Sequence, residues 1–136
     1  MNTKAKINVI LIDDNATTNF ISRKHFSKFE VIDEIIDFQS SSLALEYLRN
    51  NPNRKTPHLI MLDINMPGMN GWEFMDQYNQ LHQDNVRNSV LIILSSTPNP
   101  LEQKRARETK GVSEMLLKPL TKENITKILN HYFKSI

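Results

Sequence analysis

Short apolar segments alternate with longer, more polar segments from one end of the chain to the other. A short run that is rich in β-branched residues and almost continuously apolar is typical of a strand buried on both faces. Five such runs predict five strands, over 7–13 (INVILID), 34–38 (EIIDF), 58–63 (HLIMLD), 89–95 (SVLIILS) and 114–118 (EMLLK).

Between these runs, apolar residues recur at the spacing of one helix face. The pattern predicts helices over 15–28, 40–51, 70–81, 101–109 and 121–133. The apolar positions expected on the inward faces of four of these helices are Phe20, Ile21 and Phe26; Leu43, Ala44, Tyr47 and Leu48; Trp72, Met75 and Tyr78; and Ile125, Ile128, Leu129 and Tyr132.

Five strand–helix repeats joined by short loops predict an α/β fold. The expected architecture is a (βα)5, doubly wound parallel sheet of five strands with helices on both faces. A length of 136 residues suits one domain, so we expect a single domain over 1–136. In sheets of this kind, binding and chemistry occur outside the carboxyl ends of the strands.

Composition excludes several classes of function. The chain has no cysteine, which rules out disulfides, thiolate catalysis and a cysteine-based zinc site. A net charge of +2 gives no strong electrostatic case for binding nucleic acid. The first apolar run is too short to cross a membrane, and two aspartates follow it instead of a cleavage site. We therefore expect a cytoplasmic protein without a membrane or nucleic-acid partner.

Reactive side chains follow four of the five predicted strands. Asp13 and Asp14 end the first strand and Asp63 ends the third, while Ser95-Ser96 ends the fourth and Lys118 the fifth. Any one of these residues is most simply a polar loop residue. Together they occupy corresponding places in the repeat, which predicts that they meet at one edge of the sheet.

This set of side chains suits phosphoryl chemistry. Crowded carboxylates repel each other, and a divalent cation relieves that conflict; carboxylates and a backbone carbonyl suit Mg²⁺. Asp63 could then act as a nucleophile toward phosphorus, and Lys118 and a serine hydroxyl could contact phosphoryl oxygens.

The chain resembles the receiver domains of two-component response regulators over nearly its whole length. The motifs that carry the resemblance stand in family order: DD at 13–14, DINMPGMNG at 63–71, a serine at the end of the fourth strand, and KP at 118–119. The resemblance implies the flavodoxin-like strand order 2-1-3-4-5 and a stand-alone receiver without an output domain.

The resemblance also implies roles for the acidic residues. Asp63 corresponds to the phosphoacceptor. Asp13 and Asp14 correspond to the acidic pair, of which one binds Mg²⁺ directly and the other through water. Asn65 corresponds to the residue whose backbone carbonyl contacts the metal.

Four further positions have counterparts in the family. Lys118 matches the lysine that pairs with the phosphoryl group, and Pro119 matches a proline whose peptide bond is often cis. Ser95 matches the switch hydroxyl when counted from the fourth strand, although counting back from Lys118 favours Ser96; we favour Ser95. Met115 stands where many receivers have an aromatic switch residue.

The implied function is that of a phosphoacceptor in a two-component or phosphorelay system. Such a protein is not a classical enzyme and at most catalyses its own phosphorylation and dephosphorylation. The implied partners are a sensor histidine kinase or a histidine phosphotransfer protein, and a downstream protein target. The basic segment 104–107 on the fourth helix is by default a solvated face. The alternative is a docking patch, because the fourth helix, fifth strand and fifth helix form the usual output surface of the family.

Three alternatives differ in chemistry. A pseudo-receiver would have the same fold and bind partners without phosphorylation. A flavodoxin-like protein is disfavoured because Asp13 and Asp14 would repel the flavin phosphate. A phosphatase with an aspartyl nucleophile usually has an early Asp-x-Asp motif, whereas Asp63 lies mid-chain and Asn65 stands at the second position.

Overall fold

The computed structural model describes residues 6–51, 58–81, 89–96 and 99–133. It contains the strands β1 (Ile7–Ile12), β2 (Ile32–Phe38), β3 (His58–Asp63), β4 (Ser89–Ser95) and β5 (Glu114–Leu117). Its helices are α1 (Ala16–Phe26), α2 (Ser41–Asn50), α3 (Gly71–Tyr78), α4 (Pro100–Glu108) and α5 (Lys122–Tyr132). All ten predicted elements are therefore present, and β3 and β4 have the predicted bounds.

The five strands form one parallel sheet in the order β2-β1-β3-β4-β5, which confirms the predicted topology. Ile12 pairs with Leu62 of β3, and Asp63 pairs with Leu94 of β4. Ser95 in turn pairs with Leu117 of β5. This register brings the ends of β1, β3, β4 and β5 together at one edge of the sheet, as predicted.

Two hydrophobic cores lie on the two faces of the sheet. Ile10 and Ile12 of β1 contribute to one core, which also contains residues of α2 and α3. Val9 and Leu11 contribute to the other, which contains residues of α1 and α5. Because successive side chains of a strand point to opposite faces, a strand buried on both faces must be apolar throughout, as β1 is.

The inward face of α1 differs from the prediction. Phe20 and Ile21 are 58% and 46% exposed, whereas the buried positions are Asn19, Ser22 and Phe26. The amide of Asn19 donates to the main-chain carbonyl of Asp13 at 2.9 Å, so this helix face meets a polar sheet edge as well as the core. The prediction for Phe20 and Ile21 was wrong because apolarity alone does not identify a face that packs partly on backbone.

The other helices follow the prediction more closely. In α2, Leu43 is 55% exposed and its place in the core is taken by Leu45, while Ala44 and Leu48 are buried as expected. Met75 and Tyr78 of α3 are buried and Trp72 is partly buried. In α5 the predicted stripe packs on the sheet through Ile125, Ile128, Leu129 and Tyr132.

Among the described residues, no helix is both long enough and apolar enough to cross a bilayer.

Candidate functional site

Three carboxylates converge at the edge of the sheet where β1 and β3 end. Asp13 and Asp63 are each only 4% exposed, whereas Asp14 is exposed. One oxygen from each of the three residues lies within 4.8 Å of the others. The structure thus brings together the three acidic residues that the sequence predicted.

Backbone N–H groups fix the two buried carboxylates. The N–H of Asn15 donates to Asp13 Oδ1 at 2.9 Å, and the N–H of Asn65 donates to Asp63 Oδ1 at 3.2 Å. Each donor lies two residues beyond its aspartate, in the turn that leaves the strand. These turns orient the carboxylates and give each one a hydrogen-bond donor. This matters because a buried acceptor without a hydrogen-bond partner destabilises the fold.

The loop after Asp63 is shaped by two glycines. Gly68 has a φ of 75°, a conformation that glycine adopts without steric cost. At Gly71 a Cβ atom would lie 2.8 Å from the Cα of Ile64, so a side chain does not fit there. The N–H of Gly71 donates to the Ile64 carbonyl at 3.0 Å. The start of α3 therefore packs directly on the backbone beside Asp63.

Helix α3 begins at this loop with a capping box. The Asn70 side chain accepts from the Glu73 N–H at 2.9 Å, and the Glu73 carboxylate accepts from the Asn70 N–H at 3.0 Å. The turn and helix start that follow Asp63 in the sequence are thus both accounted for by local contacts.

Lys118 provides the positive charge of the site. Its ammonium lies 2.8 Å from Asp13 Oδ2 and 3.4 Å from Asp63 Oδ1. The backbone N–H of Lys118 donates to the carbonyl of Ser95 at 2.9 Å, which fixes the end of β5 against β4. The Lys118–Pro119 peptide bond is cis, as the resemblance implied.

Burial and neighbouring charge shift the pKa values of two of these groups. Burial raises the pKa of the Asp63 carboxyl, and the negative charge of Asp13 raises it further, although Lys118 and the Asn65 N–H oppose the rise. Burial alone would lower the pKa of Lys118, but its hydrogen bond and ion pair with Asp13, together with the charge of Asp63, reverse this effect and leave the pKa raised. Lys118 therefore remains a cation across the physiological pH range.

The site opens into a cleft of about 530 Å³. Its lining residues are Asp13, Asp14, Asn15, Thr18, Asp63, Asn65, Ser96, Lys118 and Pro119. Each sequence-predicted residue except Ser95 therefore lines the cleft, and Ser96 lines it instead.

Ser95 lies beneath the cleft surface. It is 0% exposed, and its hydroxyl donates to Glu102 Oε1 of α4 at 3.1 Å. Ser96, by contrast, is exposed. The two serines that the sequence could not separate thus differ in burial and in direction.

Met115 lies beside a second cavity, between α4 and β5. The cavity has a volume of about 590 Å³, and Gln103, Ala106, Arg107 and Val112 are among the other residues that line it. Met115 is partly buried and packs against the core that contains α3. The position that is often aromatic in the family therefore has adjacent space here.

Sequence analysis missed two residues of the site. Asn19 holds the main chain of Asp13 from α1, and Glu102 bonds Ser95 from α4. A polar residue on the buried stripe of α1 was one available signal for Asn19. The pair Asn99-x-x-Glu102 has the spacing of a helix cap, but the bond to Ser95 depends on how α4 sits against β4.

The arrangement suits a hard divalent cation. Asp13 Oδ2 is buried and lies 2.8 Å from the Lys118 ammonium. Three convergent carboxylates offer oxygen ligands of the kind that Mg²⁺ prefers, and Asn65 lines the same cleft. The donor set therefore fits Mg²⁺, with Asp13, Asp14, Asp63 and Asn65 as the residues that could hold it.

Comparison with known proteins identifies relatives of the whole chain. The family model described as response regulator receiver domain matches residues 9–130. A two-component response regulator from Cytophaga hutchinsonii, solved by crystallography, is 31% identical with a TM-score of 0.84, covering 93% of this chain and 96% of that one.

Two curated relatives match almost the full chain. The Arabidopsis thaliana two-component response regulator ARR8 is 27% identical over 99% of this chain, and the Helicobacter pylori sensor histidine kinase CheAY is 28% identical over 98% of it. The match spans only 64% of the length of ARR8 and 16% of the length of CheAY.

Proposed function

Because this chain belongs to the response regulator receiver domain family, whose members are signalling phosphoacceptors, we propose that it accepts a phosphoryl group on the carboxylate of Asp63. The observation that carries this proposal is the placement of Asp63. It ends β3 inside the cleft, beside two other carboxylates and 3.4 Å from the Lys118 ammonium. An oxygen of Asp63 bonds to phosphorus while the bond from phosphorus to the donor breaks, and the donor leaves with that electron pair.

Receiver domains bind Mg²⁺ at an acidic pocket, and we assign that role here to Asp13, Asp14, Asp63 and the main-chain carbonyl of Asn65. When bound, Mg²⁺ neutralises charge on the phosphoryl oxygens. The protein's own contribution is to hold these ligands in place. The Asn15 and Asn65 N–H groups do so for Asp13 and Asp63.

We propose that Lys118 and Ser95 contact the phosphoryl group once Asp63 is phosphorylated. The new group brings roughly two negative charges and additional acceptor oxygens to the sheet edge. The Lys118 ammonium already lies within reach of Asp63. Ser95 is held next to Lys118, because its backbone carbonyl accepts from the Lys118 N–H. Ser96 is the competing hydroxyl because it lines the cleft in the resting structure.

The response passes to the surface formed by α4, β5 and α5, which we term the output face. Ser95 bonds to α4, and Met115 of β5 borders the cavity next to that helix. The side chains of Lys104, Arg105 and Arg107 are exposed on α4, as expected for the basic segment, while Ala106 is buried. A sensor histidine kinase or histidine phosphotransfer protein is the proposed donor, and a protein partner at the output face is the proposed target.

Phosphorylation of an Asp63→Asn variant tests the proposal. Wild-type protein incubated with acetyl phosphate and Mg²⁺ should gain one phosphoryl group by intact mass, and the variant should gain none. Asp76→Asn, which changes an exposed carboxylate on α3, is the matched control and should be modified like the wild type. A wild-type chain that binds neither Mg²⁺ nor beryllofluoride and is never phosphorylated would be a pseudo-receiver.

A further inference from the structure

A partly buried hydrogen bond joins the end of β4 to the first turn of α4. The Ser95 hydroxyl, which is fully buried, donates to Glu102 Oε1 at 3.1 Å. The hydroxyl therefore donates to a carboxylate of α4, and Glu102 is not among the residues that line the cleft. A hydrogen bond with an ionised acceptor is stronger than one between neutral groups.

Helix α3 offers a comparison, because it also has a glutamate three residues after its cap residue. Glu73 stands three residues after the cap residue Asn70, and its carboxylate accepts from the Asn70 backbone N–H. Glu102 stands three residues after the cap residue Asn99, whose side chain accepts from the Glu102 N–H at 2.8 Å. The two helix starts thus have the same cap, but the Glu102 carboxylate accepts from Ser95.

We propose that Glu102 is a positioning residue that holds the Ser95 hydroxyl toward α4 in the unphosphorylated protein. This inference rests on the proposed function, because it requires a phosphoryl group at Asp63 as the second acceptor. A serine hydroxyl has one hydrogen to donate, so Glu102 and the phosphoryl oxygen compete for it. Transfer of that hydrogen bond frees the Glu102 carboxylate at the start of α4.

Because of this competition, the equilibrium between the resting and activated states depends on Glu102. A ligand shifts a two-state equilibrium only through interactions that differ between the states. The Ser95–Glu102 bond is present in the resting state and is lost when Ser95 turns to the phosphoryl group, so it opposes activation. Removing its acceptor should favour the activated state.

Beryllofluoride, used with Mg²⁺ as a phosphoryl mimic, tests this inference. Glu102→Ala should bind beryllofluoride about three- to tenfold more tightly than the wild type, the scale expected when one opposing hydrogen bond is lost. Glu102→Gln keeps an acceptor oxygen without the charge and should fall between the two. Glu108→Ala is the control, since it removes an exposed carboxylate from the same helix as Glu102 and should leave the affinity unchanged.

The double variant Ser95→Ala/Glu102→Ala separates this role from a general effect on α4. In the Ser95→Ala background, Glu102→Ala should no longer alter beryllofluoride affinity. Unchanged or weaker binding by Glu102→Ala, or an equal change in Glu108→Ala, would overturn the inference while leaving the proposed function intact. Failure of the wild type to bind beryllofluoride would overturn both.

Discussion

The ammonium of Lys118 lies 2.8 Å from Asp13 Oδ2. The two side chains come from opposite ends of the chain, and each is mostly buried, so the ion pair offsets part of the cost of burying either charge. A cation bound among the carboxylates would share Asp13 with Lys118. The lysine is therefore both a partner of the acidic cluster and a competitor of any metal that enters it.

Lys118→Ala tests whether Lys118 competes with a bound metal for Asp13. Because the positive charge is lost, we expect Mg²⁺ to bind more tightly by isothermal titration. The free energy of unfolding should fall by about 1–3 kcal/mol, less than for a fully buried pair. Lys110→Ala, which removes an exposed lysine, is the control. Weaker Mg²⁺ binding in Lys118→Ala would contradict the competition.

Asp14→Ala should weaken Mg²⁺ binding by about tenfold or more, since one of three convergent carboxylates is removed. Asp14 is exposed, so the variant should keep the urea midpoint of the wild type within error. Asp33→Ala changes an exposed carboxylate of β2 and should leave the affinity unaltered. Equal Mg²⁺ affinities in all three proteins would exclude Asp14 from the metal site.

The raised pKa of Asp63 predicts a pH dependence of stability. The folded protein holds this proton more tightly than the unfolded chain, whose carboxyl has the ordinary pKa of 3.8. The free energy of unfolding contributed by Asp63 therefore falls as pH rises from about 3.8 through the raised folded value, and is constant above it.

Urea unfolding of the wild type and Asp63→Asn at a series of pH values measures this contribution. Near neutral pH the variant should be the more stable protein, and its advantage should shrink on acidification through that window. A difference that is independent of pH would show that Asp63 is not the titrating group.

Gly71→Ala should disturb both stability and phosphorylation. The added methyl group would lie 2.8 Å from the Ile64 Cα and 3.3 Å from the Asp63 carbonyl oxygen. We expect the free energy of unfolding to fall by about 1–3 kcal/mol, as at other overpacked sites, and phosphorylation by acetyl phosphate to be slower. Gly68→Ala should cost about 1–2 kcal/mol through its positive φ but leave labelling nearly normal, since its Cβ meets nothing within 4 Å.

Trp72 should report the position of α4. The guanidinium of Arg105 lies 4.6 Å from the centre of the Trp72 ring, which joins α4 to α3. Trp72 is not among the residues that line the acidic cleft, so beryllofluoride should alter its fluorescence mainly by moving α4. Arg105→Ala should reduce that change, whereas Arg107→Ala should not. Equal responses in both variants would show that the signal does not depend on the Arg105 contact.

The pattern of the sequence was sufficient to predict the strands and helices and their order along the chain, because each element is specified locally, whereas the strand order in the sheet was implied by the family resemblance. The continuous apolar run of β1 requires burial on both faces, and polar cap residues such as Ser40 begin helices where a strand has just ended. The position of Asp63 in this pattern was enough to place it at the sheet edge. The order of elements and the residues at the strand ends could therefore be predicted without coordinates.

Which side chains meet was decided by packing between elements that are distant in the sequence. The two adjacent serines look alike in sequence, yet Ser95 is buried against Glu102 and Ser96 faces the cleft. In the same way, the buried face of α1 contains Asn19 and leaves Phe20 exposed, because the helix packs partly on the Asp13 backbone. The spacing of apolar residues predicts where helices and strands lie. The direction of a side chain at a strand end depends on the helix that packs over it, which that spacing does not show.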